Sequence, residues 1–376
     1  MAFRSMILRC AGSGVLLGAC FFLCDARAEG NITLRLMAAN LTSGNYQRYE
    51  TPGLNILQGL KPDIVAIQEF NYASPGSAGI NTPAAIREML DTAFETNFVY
   101  FRESGYNIPN GIISRYPILA SGSWVDSDVG VNDRGFAWAR IDVPGTNDLY
   151  VVSVHLKASS SGSDIARRAA EVLELKALIR TNFPANAWTV VAGDFNIYSE
   201  NEEAVAHLGS FLSDTQVPAD LNGGTNTNRG RSERYDRVWL SFSLTNSLVP
   251  LVMPSHTLAG GLVFVSTNYA PLSEVSPVQF GDSTVAGMQH MAVIKEIEIT
   301  LPVTNLAVPT PLLAMPTAGV LRWEGISNVS YTVQANSNLL SENWFTLGTA
   351  VSANTNFIFT DSLTGEVRRF YRVLYR

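Results

Sequence analysis

The amino-acid sequence lacks cysteine beyond residue 24. Its three cysteines, Cys10, Cys20 and Cys24, all lie in the first 28 of 376 residues. The rest of the chain therefore cannot form a disulfide, a thiolate metal site or a cysteine nucleophile. Any catalytic or metal-binding chemistry there must come from carboxylate, imidazole, amide, hydroxyl or cationic side chains.

The sequence is also poor in charge, and basic residues are the scarcer kind. Charged residues make up 16% of the chain, hydrophobic residues make up 46%, and the net charge is −7. This balance excludes an unfolded polyelectrolyte and predicts a packed core. An acidic chain is not a general binder of polyanions. At 376 residues, we expect a large domain with a small accessory domain.

Residues 1–28 have the pattern of an export signal. Arg4 and Arg9 precede an apolar run at Val15–Leu23, and Ala26-Arg27-Ala28 supplies an A-x-A cleavage site. The alternatives are a buried first helix and a lipoprotein box at residues 17–20, which would leave a lipid-bearing Cys20. The run is too short to cross a bilayer. Cleavage after residue 28 predicts a secreted protein, extracellular or periplasmic, with a net charge of −9.

Residues 31–300 alternate apolar, β-rich runs with helical stretches. The predicted strands are Ile32–Ala39, Asp63–Gln68, Phe98–Arg102, Gly111–Ser114, Ala137–Val143, Leu149–Leu156, Trp188–Ala192, Arg237–Ser241 and Met291–Ile299. Helices are predicted to begin at Thr51-Pro52, Thr82-Pro83 and Ser163-Asp164, where cap residues or proline stand at the first turn.

The third predicted helix has apolar residues at helical spacing. These are Ile165, Ala169, Val172 and Ile179. The charged residues that this spacing leaves on the outer face are Arg167, Arg168, Glu171 and Glu174. Such helices typically cover the outer faces of packed sheets.

The C-terminal part has a different composition. Residues 302–316 are rich in Pro, Thr and small apolar residues and are predicted to be a linker. Residues 317–376 contain short apolar runs separated by Asn, Ser and Gly, which predicts a small all-β sandwich. Its pattern of Trp323, Tyr331-Thr332-Val333-Gln334, Asn343-Trp344 and Arg369-Phe370-Tyr371-Arg372-Val373 resembles the fibronectin-like modules of secreted bacterial proteins. It contains no histidine, so we expect it to carry no chemistry.

Several predicted strands end in polar residues that are capable of chemistry. Asp194 and Asn196 follow a buried run and Gly193, and their spacing of two places them on one face. The other strand-end residues are Asn40, Glu69 and His155. Each alone has an ordinary alternative as a turn former, a solvated strand end or a core histidine. Together they predict a site where neighbouring strand ends meet along one sheet edge.

Two more candidates, Asp236 and His290, stand at the beginnings of predicted strands. They reach the same edge only if those strands run antiparallel to the others, which favours a two-sheet sandwich. The segments that carry the pattern are Gln68-Glu69, Ser153-Val154-His155-Leu156, Gly193-Asp194-Phe195-Asn196 and Tyr235-Asp236-Arg237-Val238. In this order they resemble the deoxyribonuclease I-like motifs of the endonuclease/exonuclease/phosphatase superfamily.

The resemblance implies a fold, a domain and a set of roles. The fold is α+β, a four-layer α/β/β/α sandwich of two packed mixed sheets, with the catalytic domain at residues 29–301 and the small all-β sandwich after it. The implied metal ligands are Glu69 and Asn40, and the implied substrate-binding residues are Asn110 and Arg134, the latter with an ordinary loop arginine as its alternative. Arg231 and Arg234 are predicted to bind substrate from the positive charge of their own segment, described below. The implied catalytic residues are His155, Asp194, Asn196, Asp236 and His290. His155 would contact the phosphate, Asp194 and Asn196 would orient water, and Asp236 would hold His290.

The implied chemistry is attack of water on phosphorus, assisted by a divalent metal. Oxygen ligands favour Mg²⁺, with Mn²⁺ or Ca²⁺ as alternatives. One position departs from the family pattern, because Gln289 stands before His290 where an acid is usual. This predicts altered metal affinity or lower activity. It leaves open a binding protein of the same fold with weakened catalysis.

The substrate is the least determined feature. Arg229, Arg231, Arg234 and Arg237 cluster beside the predicted site, which favours nucleic acid, DNA or RNA, cleaved by an endonuclease. The alternative for these arginines is a solvated, ion-paired loop. A phospholipid such as sphingomyelin, or an inositol phosphate, is the other substrate class, and Leu262–Val265 could supply an apolar loop or a strand. No stable protein partner is implied, and we expect a monomer.

Overall fold

The structure is a computed structural model of the chain. It describes residues 8–9, 31–44, 47–72, 81–94, 98–127, 133–301, 313–317, 319–325, 330–338, 343–362 and 369–375. The predicted export signal apart from residues 8–9, with Cys20, and residues 302–312 of the predicted linker lie outside these residues. The chain divides into two compact units, which are Glu29–Pro302 and the combination of Met1–Ala28 with Val303–Arg376.

The secondary structure is numbered along the chain, beginning with β1 (Leu8–Arg9) of the smaller unit. The strands of the larger unit are β2 (Asn31–Ala39), β3 (Ile64–Ile67), β4 (Val99–Arg102), β5 (Gly111–Ser114), β6 (Ile118–Trp124), β7 (Phe136–Ile141), β8 (Leu149–His155), β9 (Trp188–Asp194), β10 (Leu212–Ser213), β11 (Asp236–Ser241), β12 (Leu248–Val249), β13 (Leu251–Met253), β14 (His256–Leu258), β15 (Leu262–Phe264) and β16 (Ala292–Thr300). Its α-helices are α1 (Thr51–Leu60), α2 (Pro83–Ala93), α3 (Gly162–Asn182) and α4 (Glu203–Gly209). Short 3-10 turns lie at Phe242–Ser247, Leu272–Val275 and Asp282–Thr284.

Two mixed sheets form the centre of the larger unit. The first sheet has the strand order β12-β16-β2-β3-β5-β4, with β15 also paired to β16, and the second has the order β10-β11-β9-β8-β7-β6. The described strands include one parallel pair in each sheet, β2 with β3 and β8 with β9. Strands β11 and β16 run antiparallel to their neighbours β9 and β2. This arrangement directs the ends of β2, β3, β8 and β9 and the beginnings of β11 and β16 to one end of the sandwich.

The buried apolar residues define four layers. One cluster lies between the sheets and includes Leu34, Leu36 and Ala38 of β2 together with Val190 and Val238 of the second sheet. A second cluster packs the other face of the first sheet against α1 and α2. A third packs the second sheet against α3 and α4. The predicted α/β/β/α sandwich of two mixed sheets is therefore confirmed.

Several elements of this unit are absent from the sequence prediction, namely the short strands β10, β12, β13 and β14 and the longer β6 and α4. Strand β6 has residues that alternate between partly buried and exposed, so it lacks the apolar run by which a strand is recognised. Helix α4 buries only Ala204 and Leu208 among its residues. In the described part of the chain, no helix combines the length and the apolar character needed to cross a membrane.

Helix α3 differs from the prediction at its start and on its charged face. Its cap is Ser161, whose Oγ accepts a hydrogen bond from the Asp164 N–H at 3.2 Å, so the helix begins before the predicted Ser163. Arg168 and Glu171, predicted to be on the outer face, are both buried. Local spacing did not indicate this, because the partners of both side chains lie outside the helix.

The buried Arg168 is paired in full. Its Nε and Nη2 donate to the two carboxylate oxygens of Glu202, each at 2.9 Å, and Nη1 donates to the carbonyls of Lys157 and Ser159. A buried guanidinium is tolerated when its charge and its donors are satisfied in this way. Glu202 is also the cap of α4, so the ion pair joins α3 to the segment that leads into α4.

The buried Glu171 carries a shifted carboxyl group. Its oxygens accept the Lys157 N–H at 3.0 and 3.1 Å. Burial raises the pKa of Glu171 to about 9, and the neighbouring Asp126 carboxyl acts in the same direction. The folded protein therefore holds Glu171 protonated at neutral pH.

The smaller unit consists of two antiparallel sheets. Its other strands are β17 (Ala314–Thr317), β18 (Val320–Glu324), β19 (Tyr331–Asn336), β20 (Phe345–Ala350), β21 (Asn356–Thr360) and β22 (Phe370–Tyr375). The sheets have the orders β1-β22-β19-β20 and β17-β18-β21, around a core that includes Trp323, Tyr331 and Phe357. The all-β prediction is confirmed, whereas the fibronectin-like resemblance stays a prediction. The predicted linker 302–316 overlaps β17, so its last residues form a strand.

The protonated Glu171 predicts a pH-dependent stability. Because its pKa is raised in the folded state, the unfolded chain ionises first as pH rises from about 4.5 to about 9, and stability falls across that window. We expect Glu171→Gln to unfold at a higher urea concentration than wild type at pH 8.5. Its free energy of unfolding should exceed that of wild type by at least about 1.4 kcal/mol, the energy of one pKa unit. At pH 5.5 the difference should shrink. The same substitution at the exposed Glu88 is the control, and equal gains at both pH values would contradict the prediction.

Candidate active site

Six polar residues meet where the two sheets present their corresponding strand ends. They are Asn40 after β2, Glu69 after β3, His155 at the end of β8, Asp194 at the end of β9, Asp236 at the start of β11 and His290 before β16. His155 and Asp236 are both paired in register with Asp194. The site therefore does not follow one sheet edge, as the sequence predicted, but lies between two facing sheets that contribute to it jointly.

The carboxylate of Asp194 is the centre of this cluster. Its Oδ2 accepts the Asn40 Nδ2–H at 3.2 Å and lies 3.3 Å from Nε2 of His155 and 3.5 Å from Nε2 of His290. Its Oδ1 accepts the backbone N–H of Asn196 at 2.9 Å. Asp194 is only 1% exposed. A carboxylate buried to this extent needs such donors in order to remain charged.

The turn after Asp194 depends on a glycine and an asparagine. Gly193 has φ +141°, and a Cβ at that position would lie 2.1 Å from the Val154 carbonyl oxygen, so only glycine fits. Asn196 also has positive φ, at 48°, and its Nδ2 donates to the Leu156 carbonyl at 3.0 Å. Asn196 thus joins the ends of β8 and β9 and fixes the Asp194 carboxylate between them.

Asp236 and His290 form a buried pair. Nδ1 of His290 lies 3.0 Å from Oδ2 of Asp236. Burial alone would lower the pKa of His290, but the carboxylates of Asp236 and Asp194 outweigh it and raise the pKa to about 10. His290 is therefore an imidazolium at neutral pH, with Nδ1–H donating to Asp236. This matches the orientation role that the sequence resemblance implies for Asp236.

His155 has the opposite protonation state. Burial, followed by the positive charges of Arg134 and His290, holds the pKa of His155 well below its ordinary range. Its buried Nδ1 has no hydrogen-bond partner among the described residues. The cluster thus places one neutral and one protonated imidazole on the same carboxylate, Asp194. Such divergent pKa values are typical of catalytic sites.

Glu69 is held by three donors. Asn40 Nδ2 and Gln47 Nε2 donate to its Oε1 at 3.3 and 3.1 Å, and the Thr42 hydroxyl donates to its Oε2. Burial raises the pKa of Glu69. Thr42 and Gln47 are absent from the sequence prediction, because they lie in the irregular segment after β2 and carry no periodic signal. The buried Oδ1 of Asn40 has no partner among the described residues.

Arg134 is buried at the end of β8, and its predicted contact with substrate stays a prediction. Its Nε donates to the His155 carbonyl at 2.7 Å and its Nη2 to the Leu156 carbonyl at 3.2 Å, while Nη1 pairs with Asp133. Arg134 therefore fixes the end of β8, and it acts on the site through the backbone and charge around His155.

Asn110 is likewise used within the fold. It is completely buried, its N–H donates to Glu103 at 2.8 Å, and its Nδ2 donates to the Gly135 carbonyl at 2.7 Å. No hydrogen bond between described residues links it to the Asp194 cluster. Asn110 nevertheless lies at the same strand end as Glu69, because Gly111 pairs with Ile67 and the Phe70 N–H donates to the Pro109 carbonyl at 2.8 Å. Its buried Oδ1 has no partner among the described residues, and its contact with a phosphate stays a prediction.

The arginine-rich loop is largely neutralised by acids. Arg231 pairs with Asp220, Arg234 pairs with Asp214, and both guanidinium nitrogens of Arg237 pair with Glu200. These acids are separated from the loop in sequence, so only the fold reveals them. Both Arg231 and Arg234 are thus ion-paired within the protein, and their binding to substrate stays a prediction.

Arg229 and Gln289 remain at the surface beside His290. The Arg229 N–H donates to the Gln289 carbonyl at 2.6 Å, and both residues are exposed. No ion pair of Arg229 occurs within the described ranges. The position that departs from the family pattern is thus exposed and directly precedes His290.

Two groups of residues fit a metal ion. Asp194, Asp236 and His290 offer ligand atoms that all lie within 4.8 Å of one another. The protonated His290 must lose a proton before it can bind a metal. Glu69 and Asn40, the predicted ligands, supply oxygens, and the unpartnered Oδ1 of Asn40 is the kind of hard donor that Mg²⁺ prefers.

Comparison with known proteins gives the family. The sequence matches the Endonuclease/Exonuclease/phosphatase family over residues 54–276, more than half of the chain, and the chain belongs to this family. Asn40 and His290 lie outside the matched residues, and the fold brings both into the cluster. No curated protein matches the sequence.

Several solved structures are similar in fold. An endonuclease/exonuclease/phosphatase from Beutenbergia cavernae is 16% identical with a TM-score of 0.49, over 90% of this chain and 95% of that one. TDP2 from C. elegans is 14% identical with a TM-score of 0.47, over 70% and 75%. Beta toxin from Staphylococcus aureus is 15% identical with a TM-score of 0.45, over 70% and 99%. The family includes nucleases, phosphatases and sphingomyelinase-like toxins, so membership does not select a substrate.

The two candidate metal groups predict different effects of substitution. If Glu69 and Asn40 hold the ion, Glu69→Gln should weaken Mn²⁺ binding, measured by titration calorimetry, by about tenfold or more, because it removes the charged ligand. Asp236→Asn should then have a smaller effect. The exposed Glu203→Gln is the control. Stronger loss in Asp236→Asn than in Glu69→Gln would assign the ion to the Asp194, Asp236 and His290 group instead.

Proposed function

We propose that this chain is a divalent-metal-dependent phosphodiesterase whose substrate is a nucleic acid. The observation that supports it most is the buried Asp194 carboxylate in contact with both a neutral and a protonated histidine. Hydrolysis of a phosphodiester needs a group that orients water and a positive group at the phosphoryl oxygens. These two requirements correspond to Asp194 and His290.

The charge state of each residue determines its role in the reaction. Asp194, positioned by Asn196, accepts a hydrogen bond from the attacking water and orients it toward phosphorus. The His290 imidazolium, held by Asp236, donates to an oxygen of the phosphate and stabilises the charge that develops there. The neutral His155 supplies a further hydrogen bond at the same carboxylate. A divalent cation held by Glu69 and Asn40 would neutralise the phosphate and the departing oxygen.

Two segments considered for substrate contact, the apolar Leu262–Val265 and the arginine-rich loop, are partly or wholly engaged within the fold. The apolar segment Leu262–Val265, considered for lipid contact, is buried, and its first three residues form β15, paired with β16. This removes the support for a sphingomyelin substrate that the sequence offered. The arginine cluster supports nucleic acid less than the sequence predicted, because three of its members are ion-paired. The exposed Arg229 beside His290 still favours an anionic chain over a neutral headgroup.

We also propose that the protein acts outside the cytoplasm, in the periplasm or the medium. The basic, apolar and small-residue order of residues 1–28 supports this. The confinement of all three cysteines to that segment agrees with it, because the remaining chain needs no particular redox environment.

The test of the proposed function is turnover on defined phosphoesters. The purified protein should cleave bis(p-nitrophenyl) phosphate and either plasmid DNA or RNA with Mg²⁺ or Mn²⁺, and EDTA should abolish cleavage. Sphingomyelin and inositol phosphates are run in parallel. Absence of metal-dependent turnover on every substrate would contradict the enzyme proposal, and turnover on lipid alone would contradict the nucleic acid proposal.

Removing the imidazolium should remove most of the activity. We expect His290→Ala to lower kcat on bis(p-nitrophenyl) phosphate by about 10²–10³-fold, the usual cost of removing one donor that stabilises the developing charge. The protein should keep its fold by circular dichroism. His207→Ala, in α4, is the matched histidine control and should retain wild-type kcat. A His290→Ala enzyme within about threefold of wild type would overturn the role assigned here.

Replacing Gln289 with the acid that is usual in the family tests whether the missing carboxylate affects activity. Because Gln289 is exposed and directly precedes His290, Gln289→Asp should be tolerated and should leave kcat/KM unchanged or raise it by up to about tenfold, since it replaces a neutral amide oxygen with a charged one. Gln289→Asn controls for side-chain length. A fall in kcat/KM with Gln289→Asp alone would show that the amide is adapted to this protein.

A further inference from the structure

Two tyrosine rings adjoin the imidazole of His290. The Tyr235 ring centroid lies 6.0 Å from that of His290, and the Tyr198 centroid lies 5.0 Å from that of Tyr235, with the two tyrosine rings tilted by 58°. Both tyrosines are partly exposed rather than buried in the core. An aromatic surface therefore begins at the reactive histidine and extends to the outside of the cluster.

The Tyr235 ring is fixed by its place in the chain. It immediately precedes Asp236, and its carbonyl accepts the N–H of Phe195 at 2.8 Å. Its side chain also shares a hydrogen bond with Tyr198. Tyr235 is thus attached to the same backbone that positions the Asp236 and His290 pair.

The Tyr198 ring is held from behind by the buried ion pair of α3. The Arg168 guanidinium lies 5.3 Å from the Tyr198 ring centroid, and the Tyr198 N–H donates to Glu202 at 2.9 Å. Arg168 is itself completely buried and bound to Glu202 through two hydrogen bonds. A ring supported in this way loses little conformational freedom when a ligand stacks on it.

We propose that Tyr198 and Tyr235 form a surface on which a nucleobase of the substrate stacks. The base would belong to the nucleotide whose phosphate contacts His290. This inference rests on the proposed phosphodiesterase and names the group by which it recognises nucleic acid. Rings of this kind stack on any base, because every base has a π-face, so the surface selects for a base without selecting its sequence. It also gives the enzyme a means of recognition that does not depend on the ion-paired arginines.

The test compares two phosphates that differ only in the base. Adenosine 5′-monophosphate and ribose 5-phosphate are titrated into the wild-type protein with Mg²⁺ by calorimetry, so the readout does not require turnover. We expect the nucleotide to bind about tenfold or more tightly than ribose 5-phosphate. Tyr235→Leu should remove this preference, and Tyr235→Phe should keep it, because the ring and not the hydroxyl carries the contact.

Controls separate stacking from loss of the fold. Tyr198→Leu should reduce the preference in the same direction, and it gives a second test if Tyr235→Leu does not fold. Tyr150→Leu, at the opposite end of β8, should leave the preference unchanged. Equal binding of both ligands to wild type, or a preference that survives both tyrosine-to-leucine changes, would overturn the inference. Catalysis of bis(p-nitrophenyl) phosphate with no base preference would refute the stacking surface while leaving the phosphodiesterase intact.

Discussion

The buried carboxylate of Asp194 is the constraint on which the site depends. Its oxygens contact Asn40 and His290 from the first sheet and His155 from the second, so one side chain joins the two halves of the sandwich. Burying a carboxylate costs several kcal/mol unless donors surround it. Asn40 and His290 reach it only when both sheets are packed, whereas His155 and the Asn196 N–H belong to its own sheet. The complete site therefore requires the packed sandwich, and removal of one donor perturbs the charge states of the other groups.

The apolar core between the sheets stops directly below that contact. Near the site it contains Ala38, Ala66, Ala137 and Ala192 together with the larger Val238, Val293 and Met291. Asn40, on one sheet, comes within 3.2 Å of Asp194 on the other just beyond these residues. The polar site therefore begins where the apolar packing between the sheets ends.

The sequence predicted the features that depend on neighbouring residues along the chain, namely the strand ends and the polar residues that follow them. The ends of β2, β3, β8 and β9 could be placed because apolar runs stop there, and the strand-end residues Asn40, Glu69, His155 and Asp194 followed. Ion pairs could not be placed, since Arg168 and Glu202, or Arg231 and Asp220, are brought together by folding alone. Charge counted along the chain therefore overstated the basic character of the loop. Thr42 and Gln47 were missed for a related reason, because irregular segments have no period to recognise.

The charge distribution limits how such a site can select its substrate. The chain is acidic overall, at −7, and most of the arginines near the cluster are matched by carboxylates. Long-range steering would therefore oppose the approach of a polyanion. The His290 imidazolium lies 3.5 Å from Asp194, and the exposed Arg229 pairs through its backbone with Gln289, the residue before His290. Recognition must come from contacts made at a single phosphate and its immediate substituents. Under that constraint a fixed aromatic surface is more effective than additional cations, because stacking is short-ranged and is not weakened by the acidity of the rest of the molecule.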